Sequence, residues 1–225
     1  MTRTESAAEV FDALGKDYEA AFRTATAQRE AITALIESLP PKAKVLDLGS
    51  GTGRPTAELL AAAGHDVTGY DVAPKMVEIA RAQVPAARFE LGDQRELTFE
   101  DGSWDAVTTF FSLLQLTRAE QEAVIGRVAT WVKPGGLVLV ATVPADVDGL
   151  DIVFMGHPVR EQLRPRGTRR AAARGRARDR PRGAGGVRPG PPRCHPRAAR
   201  LSHRAPAFVS QSWRQPLTGK ITRRI

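Results

Sequence analysis

The sequence has one cysteine, Cys194, so it can build neither a disulfide framework nor a multi-thiolate metal site. Its four histidines, His65, His157, His195 and His203, are scattered, and no His/Asp/Glu cluster has metal-ligand spacing. No apolar run approaches the ~18 residues of a membrane span. The first residues, Met-Thr-Arg-Thr-Glu-Ser, lack the basic-then-apolar order of a secretory signal. Aromatic residues are scarce at 6%, yet 42% of the 225 residues are hydrophobic, enough for one domain with a sizeable core. The expectation is a cytoplasmic protein that neither needs a metal nor enters a membrane.

Charge is unevenly spread. Residues 161–225 hold 17 Arg and one Lys against two acids, Glu161 and Asp179, a net +16 that leaves residues 1–160 at −8 of the chain's +8. The body is therefore acidic, which argues against a nucleic-acid footprint on it.

Hydrophobic spacing organises the first 160 residues. Residues 4–38 read as one helix, stopped by Pro40-Pro41. Lys44-Val45-Leu46-Asp47-Leu48 reads as a strand, followed by Gly49-Ser50-Gly51-Thr52-Gly53 and then a helix from Thr56 to Ala63, capped by Gly64. Further strands are expected at 66–71, 88–91, 104–110 and 137–143, and helices at 74–83 and 118–132. Lys133-Pro134-Gly135-Gly136 reads as a turn. Five strands joined by helical crossovers predict an α/β fold, a parallel sheet with helices on both faces. His65, next to Gly64, is expected at the surface.

Glycines after a first strand let the backbone approach a ligand closely, at the carboxyl end of the sheet where open α/β folds bind ligands. A dinucleotide site wants Gly-x-Gly-x-x-Gly. Here the spacing is Gly49-x-Gly51-x-Gly53 with Arg54 following, which disfavours a nicotinamide-dependent oxidoreductase.

Asp47-Leu48-Gly49-Ser50-Gly51-Thr52-Gly53 resembles the signature of the class I S-adenosylmethionine-dependent methyltransferases, small-molecule type. The resemblance covers about residues 10–160 and implies a Rossmann-like fold. It also implies cofactor contacts from Asp47, Gly49, Ser50, Gly51, Thr52 and Gly53. Asp71, with Val72 beside it, would accept from the ribose hydroxyls, as a carboxylate can. Met76 would pack on the adenine ring. Asp93, followed by Gln94, would accept from the adenine amine. Phe110 ends the fourth strand next to the cofactor, and Tyr18 lies in a lid segment, residues 1–40, that closes over its methionine end. The implied reaction is methyl transfer to O, N or C of a small-molecule acceptor. No catalytic base stands out: where many small-molecule members carry a histidine, this chain has Gln115. The alternative is a cofactor-binding relic with little or no turnover.

Beyond Arg160 the hydrophobic period ends, and residues 161–225 are expected to be disordered by composition. The short apolar stretch at 205–213 is too brief to change that. The strands that usually complete the family's sheet are expected to be missing. The abrupt change at Arg160 and the +16 charge fit a frame-shifted reading of a GC-rich gene. A genuine basic tail that binds acidic surfaces is the alternative, with few aromatic residues for stacking.

Overall fold

The computed structural model describes residues 5–22, 26–143, 147–163 and 207–212. Val45 to Leu48 are buried without a break in β1 (Lys44–Leu48). That continuous burial marks a strand covered on both faces. It pairs in parallel with β2 (Asp66–Asp71) on one side and β4 (Trp104–Phe110) on the other. Beyond β2 lies β3 (Arg88–Leu91), and beyond β4 lies β5 (Val132–Thr142). The chain thus winds outward from β1 in one direction and then in the other, leaving a crevice at the carboxyl ends of β1 and β4.

Side-chain alternation splits the core into two layers. Val45 and Ala106 join Leu60 of α4 (Thr56–Ala62), Val77 of α5 (Pro74–Gln83) and Ile32 of α3 (Thr26–Ser38). Leu46, Leu48 and Val107 face Val124, Val128 and Trp131 of α6 (Arg118–Trp131). Thr117 caps α6, and Glu120 reaches back to the Thr117 amide, which fixes where the helix begins.

Four expectations are corrected. Residues 4–38 are not one helix: α1 (Ala7–Leu14) stops at Gly15, whose φ of +48° a helix cannot accommodate, and α2 (Lys16–Phe22) starts anew. Strand β5 begins at Val132, ahead of the expected start at Leu137, and the Lys133–Gly136 turn bulges out of it where the register shifts between Trp104 and Ala106. His65 is buried, and its Nδ1 accepts the Ala43 amide at 3.2 Å. Lastly, the sheet gains a sixth parallel strand: β8 (Ala207–Ser212) pairs with β5, so not every C-terminal strand is missing and the 205–213 stretch is long enough to add one. The remainder of the Arg-rich tail beyond Leu163 lies outside the described residues.

An antiparallel hairpin that the sequence did not reveal follows β5. It consists of β6 (Val147–Phe154) and β7 (His157–Leu163), and carries order past Arg160. Its buried Val159, with Ile152 and Phe154, packs on Val10, Leu14, Phe11 and Tyr18 of α1 and α2, forming a small third core. The Ser6–Glu9 capping box starts α1, and Glu5 ties it to the hairpin through His157 Nδ1 at 2.8 Å. No helix among the described residues is long and apolar enough to cross a membrane.

Candidate functional site

The glycine loop turns at the carboxyl end of β1 with φ of +67° at Gly49, +54° at Gly51 and +80° at Gly53. Gly49 has a second reason to be glycine, because a Cβ there would overlap the Ser112 Cβ. Ser112 is held in that position from two sides. Its hydroxyl donates to the Leu48 carbonyl at 2.9 Å and shares a 2.6 Å hydrogen bond with Thr109. Phe111, just before it, adopts φ of +58°, and its amide donates to Ala141 at 2.9 Å. Non-glycine residues with positive φ are uncommon and persist where surrounding contacts over-determine them. The loops after β1 and β4 are thereby locked together.

Tyr70 and Asp71, at the end of β2, hold the other side of the loop. The Tyr70 carbonyl accepts both the Gly49 and Ser50 amides, at 2.8 and 3.0 Å. Asp71 Oδ2 accepts the Gly51 amide at 2.8 Å, and Oδ1 accepts the Ala73 amide at 2.9 Å. The Val72 amide also bonds this carboxylate, which still keeps a lone pair for a further donor.

Across the sheet, Asp47 Oδ1 accepts the Thr108 hydroxyl at 2.6 Å. Its Oδ2 is buried with no partner, as are Ser50 Oγ and Gln94 Oε1. Orphaned buried acceptors are costly in a finished core, so three of them beside one glycine loop mark a place built for a ligand's donors.

The site is acidic. Burial pushes the Asp47 carboxyl up to about 7, against the Thr108 hydrogen bond, and the nearby Asp71 charge adds to the rise. Asp71 is also raised, first by burial, and Asp12 of α1 acts in the same direction, while the backbone amides pull the other way. Tyr18 is pushed up to about 12 by burial and by the charges of Asp71 and Glu161. A cation bound among these groups lowers every one of these penalties.

Other residues singled out from the sequence fall as follows. Thr52 is buried in the loop, and Val72 is half-buried beside Asp71. Gln94 Nε2 donates to the Ser112 carbonyl at 2.9 Å, which ties the loop after β3 to the loop after β4. Asp93 is gripped by Arg95, whose Nε lies 3.0 and 2.9 Å from its two oxygens and holds the carboxyl below the usual carboxylate range. Phe110 is packed into the core layer with Leu139 and Ala141. Met76 is fully enclosed, with no surface free for an adenine ring. Tyr18 stands edge-on to Phe11, ring centroids 5.4 Å apart, with Phe154 at 6.4 Å.

Sequence reasoning missed Thr108, Thr109, Ser112, Arg95, Gln121 and Glu161. Thr108 and Ser112 act on residues far away in the chain, whereas Thr109, Arg95 and Gln121 grip residues of their own segments. Gln121, buried on α6, donates from Nε2 to the Leu113 and Leu116 carbonyls at 3.1 and 3.0 Å and so fixes the loop after β4.

Comparison with known proteins agrees with this geometry. Residues 45–136, β1 through the start of β5, match the family described as "Methyltransferase domain". An uncharacterized methyltransferase of Synechocystis is 37% identical over 100 residues, 44% of this chain and 47% of that protein. A demethylmenaquinone methyltransferase of Thermotoga maritima is 36% identical over 111 residues, 47% of this chain and 48% of that protein. The chain spans about half the length of the curated relatives it matches. The solved DhpI–SAH complex superposes with a TM-score of 0.58 and 25% identity, covering 70% of this chain and 78% of DhpI. Over residues 45–136 the chain is similar to the methyltransferase-domain family, and its core is a Rossmann-like α/β sheet.

Proposed function

We propose that the chain binds S-adenosylmethionine across the carboxyl ends of β1 to β4 and transfers its methyl group to a small-molecule acceptor. The observation that carries this reading is the set of unpartnered buried polar atoms, Asp47 Oδ2, Ser50 Oγ and Gln94 Oε1, around a glycine loop whose Gly49 and Gly53 leave no room for a Cβ. Polar atoms left without protein partners suit a ligand rich in N–H and O–H groups, and the surrounding carboxylates suit a sulfonium cation.

In this reading Gly49, Ser50, Gly51, Thr52 and Gly53 let the ligand approach the backbone. Asp71 and Val72 meet the ribose, while Asp93 and Gln94 meet the adenine edge. Asp47 faces the amino-acid end, Phe110 backs the site, and Tyr18 closes it from the lid. Met76 supports the start of α5 from within the core and makes no contact. A bound sulfonium supplies an activated methyl group, so the chain's remaining task is to align an acceptor and exclude water. Helices α1 and α2, held down by β6–β7, are placed for that exclusion. The relatives, a demethylmenaquinone methyltransferase among them, support an acceptor of small-molecule size.

Calorimetric titration of the full chain with S-adenosylmethionine, with NADH as control, tests the reading. Micromolar binding of the former alone is expected. Equal binding of NADH, or none of either to folded protein, overturns it. Binding with no methyl transfer to any acceptor favours the inactive relic.

A further inference from the structure

The hairpin β6–β7 presents two unlike faces. Asp151 and Arg160 pair at 3.0 Å on the outer face, where Val153 is also exposed. Strand alternation places Leu150, Ile152, Phe154, Val159 and Glu161 on the other face, and register sets Glu161 directly across from Leu150. That inner face packs on α1 and α2. Glu161 is its one acid. Its side chain is half-buried, no hydrogen bond or ion pair reaches it among the described residues, and burial raises its pKa.

An apolar residue at 161 would complete this face at no desolvation cost. A half-buried carboxylate with no protein partner there leaves its oxygens to water or to a ligand's donor. Glu161 also has a defined neighbourhood. Tyr18 shares the small third core with Val159 of the same hairpin face, and Asp12 of α1 accepts the Lys75 amide at 2.9 Å, just beyond Asp71, so α1 and α2 connect the hairpin to the loop after β2. The rings of Phe11, Tyr18 and Phe154 meet in the small core on which this face of the hairpin packs.

We propose that Glu161 is the acceptor-facing carboxylate of the site, and that the acceptor is an uncharged aromatic ring bearing an O–H or N–H group. The inference rests on the methyl-transfer reading above. Three aromatic rings favour an aromatic partner. The acids Asp71, Asp12 and Glu161 exclude an anionic one by like-charge repulsion. Glu161 accepts the acceptor's donor hydrogen. As the acceptor's oxygen or nitrogen lone pair forms the bond to the methyl carbon, the carbon–sulfur pair stays on sulfur and the acceptor's proton passes to Glu161. A carboxylate whose pKa is raised toward neutrality is the better base for this step.

The test uses the full chain saturated with S-adenosylhomocysteine, and four fluorescent probes: 2-naphthol, 2-naphthylamine, 2-naphthoate and naphthalene. In the wild type, naphthol or naphthylamine should bind about tenfold more tightly than naphthalene or naphthoate, the scale of one buried hydrogen bond. Which of the two binds more tightly separates hydroxyl from amine acceptors. Glu161→Gln should abolish that preference while leaving affinity for S-adenosylmethionine unchanged, and Glu161→Leu should unfold at a higher temperature than the wild type. Identical probe discrimination in Glu161→Gln, a preference for naphthoate, or no probe binding to the loaded wild type would overturn the proposal. Failure of the wild type to bind S-adenosylmethionine would instead bring down the underlying reading, and this inference with it.

Discussion

The Thr108 hydroxyl lies 2.6 Å from Asp47 Oδ1, and the other oxygen of the same carboxylate is buried without a partner. One hydrogen bond does not offset the desolvation of a charge, so Asp47 holds its proton up to about pH 7.

That relationship gives a pH dependence with a definite sign. The folded-state pKa is raised above the ordinary carboxylate value, so the folded protein binds the extra proton. The associated stability is fully present below about pH 4, the unfolded value, and is lost as pH rises through about 7. Asp47→Asn cannot ionise and should flatten this contribution. Thermal melts of both proteins between pH 5 and pH 8 check it. The variant should lose less stability on going from acid to neutral pH, and parallel curves would show that Asp47 is ionised throughout.

Asp71→Ala should damage fold and site together. Its two oxygens accept the Gly51 and Ala73 amides, so the variant leaves buried donors unpaired at a cost of about 1–3 kcal/mol. Cofactor affinity should fall by a further ~1–3 kcal/mol if the remaining lone pairs meet the ribose hydroxyls. Denaturant melts and calorimetric titration read the two losses separately. A stability loss with unchanged affinity would mean that Asp71 only ties the glycine loop to β2.

How much of this arrangement the sequence disclosed depended on distance along the chain. The glycine loop, β1 and the helix after it are local, and their pattern reads directly from residues 44–63. Asp47 stood out by its place two residues before the first glycine of the loop, and Asp71 because it ends β2. The partners that position them did not. Thr108 meets Asp47 across 61 residues and Ser112 meets Leu48 across 64, and neither side chain is unusual in its own segment. The hairpin escaped notice because its two-residue turn, Met155-Gly156 with φ of +49° and +94°, puts methionine where asparagine or glycine normally signals a tight reversal.

Gly49→Ala should be strongly destabilising for two separable reasons. Alanine at φ of +67° is strained by about 1–2 kcal/mol, and its Cβ overlaps that of Ser112. Ser112→Gly removes the overlap but not the strain. The double variant should therefore melt above Gly49→Ala and below the wild type. Strictly additive effects of the two substitutions would show that the loops after β1 and β4 do not touch as described.

The lid should loosen without the sheet. Val159 is buried against Val10 and Leu14 in a small core of its own, apart from the two layers that flank the sheet. Val159→Ala removes methyl groups there at a cost of about 1–2 kcal/mol. Because few other contacts hold α1 to β6–β7, that loss should appear as local opening and not as global unfolding. Amide exchange in residues 7–14 and 150–161 should accelerate by about tenfold or more, while amides of β1 and β4 keep their wild-type protection. A lid that opens more often also releases a bound ligand sooner, so cofactor dissociation should quicken in the same variant. Uniform acceleration across lid and sheet would show that the third core is part of the global folding unit, and that α1 and the hairpin do not move as a lid.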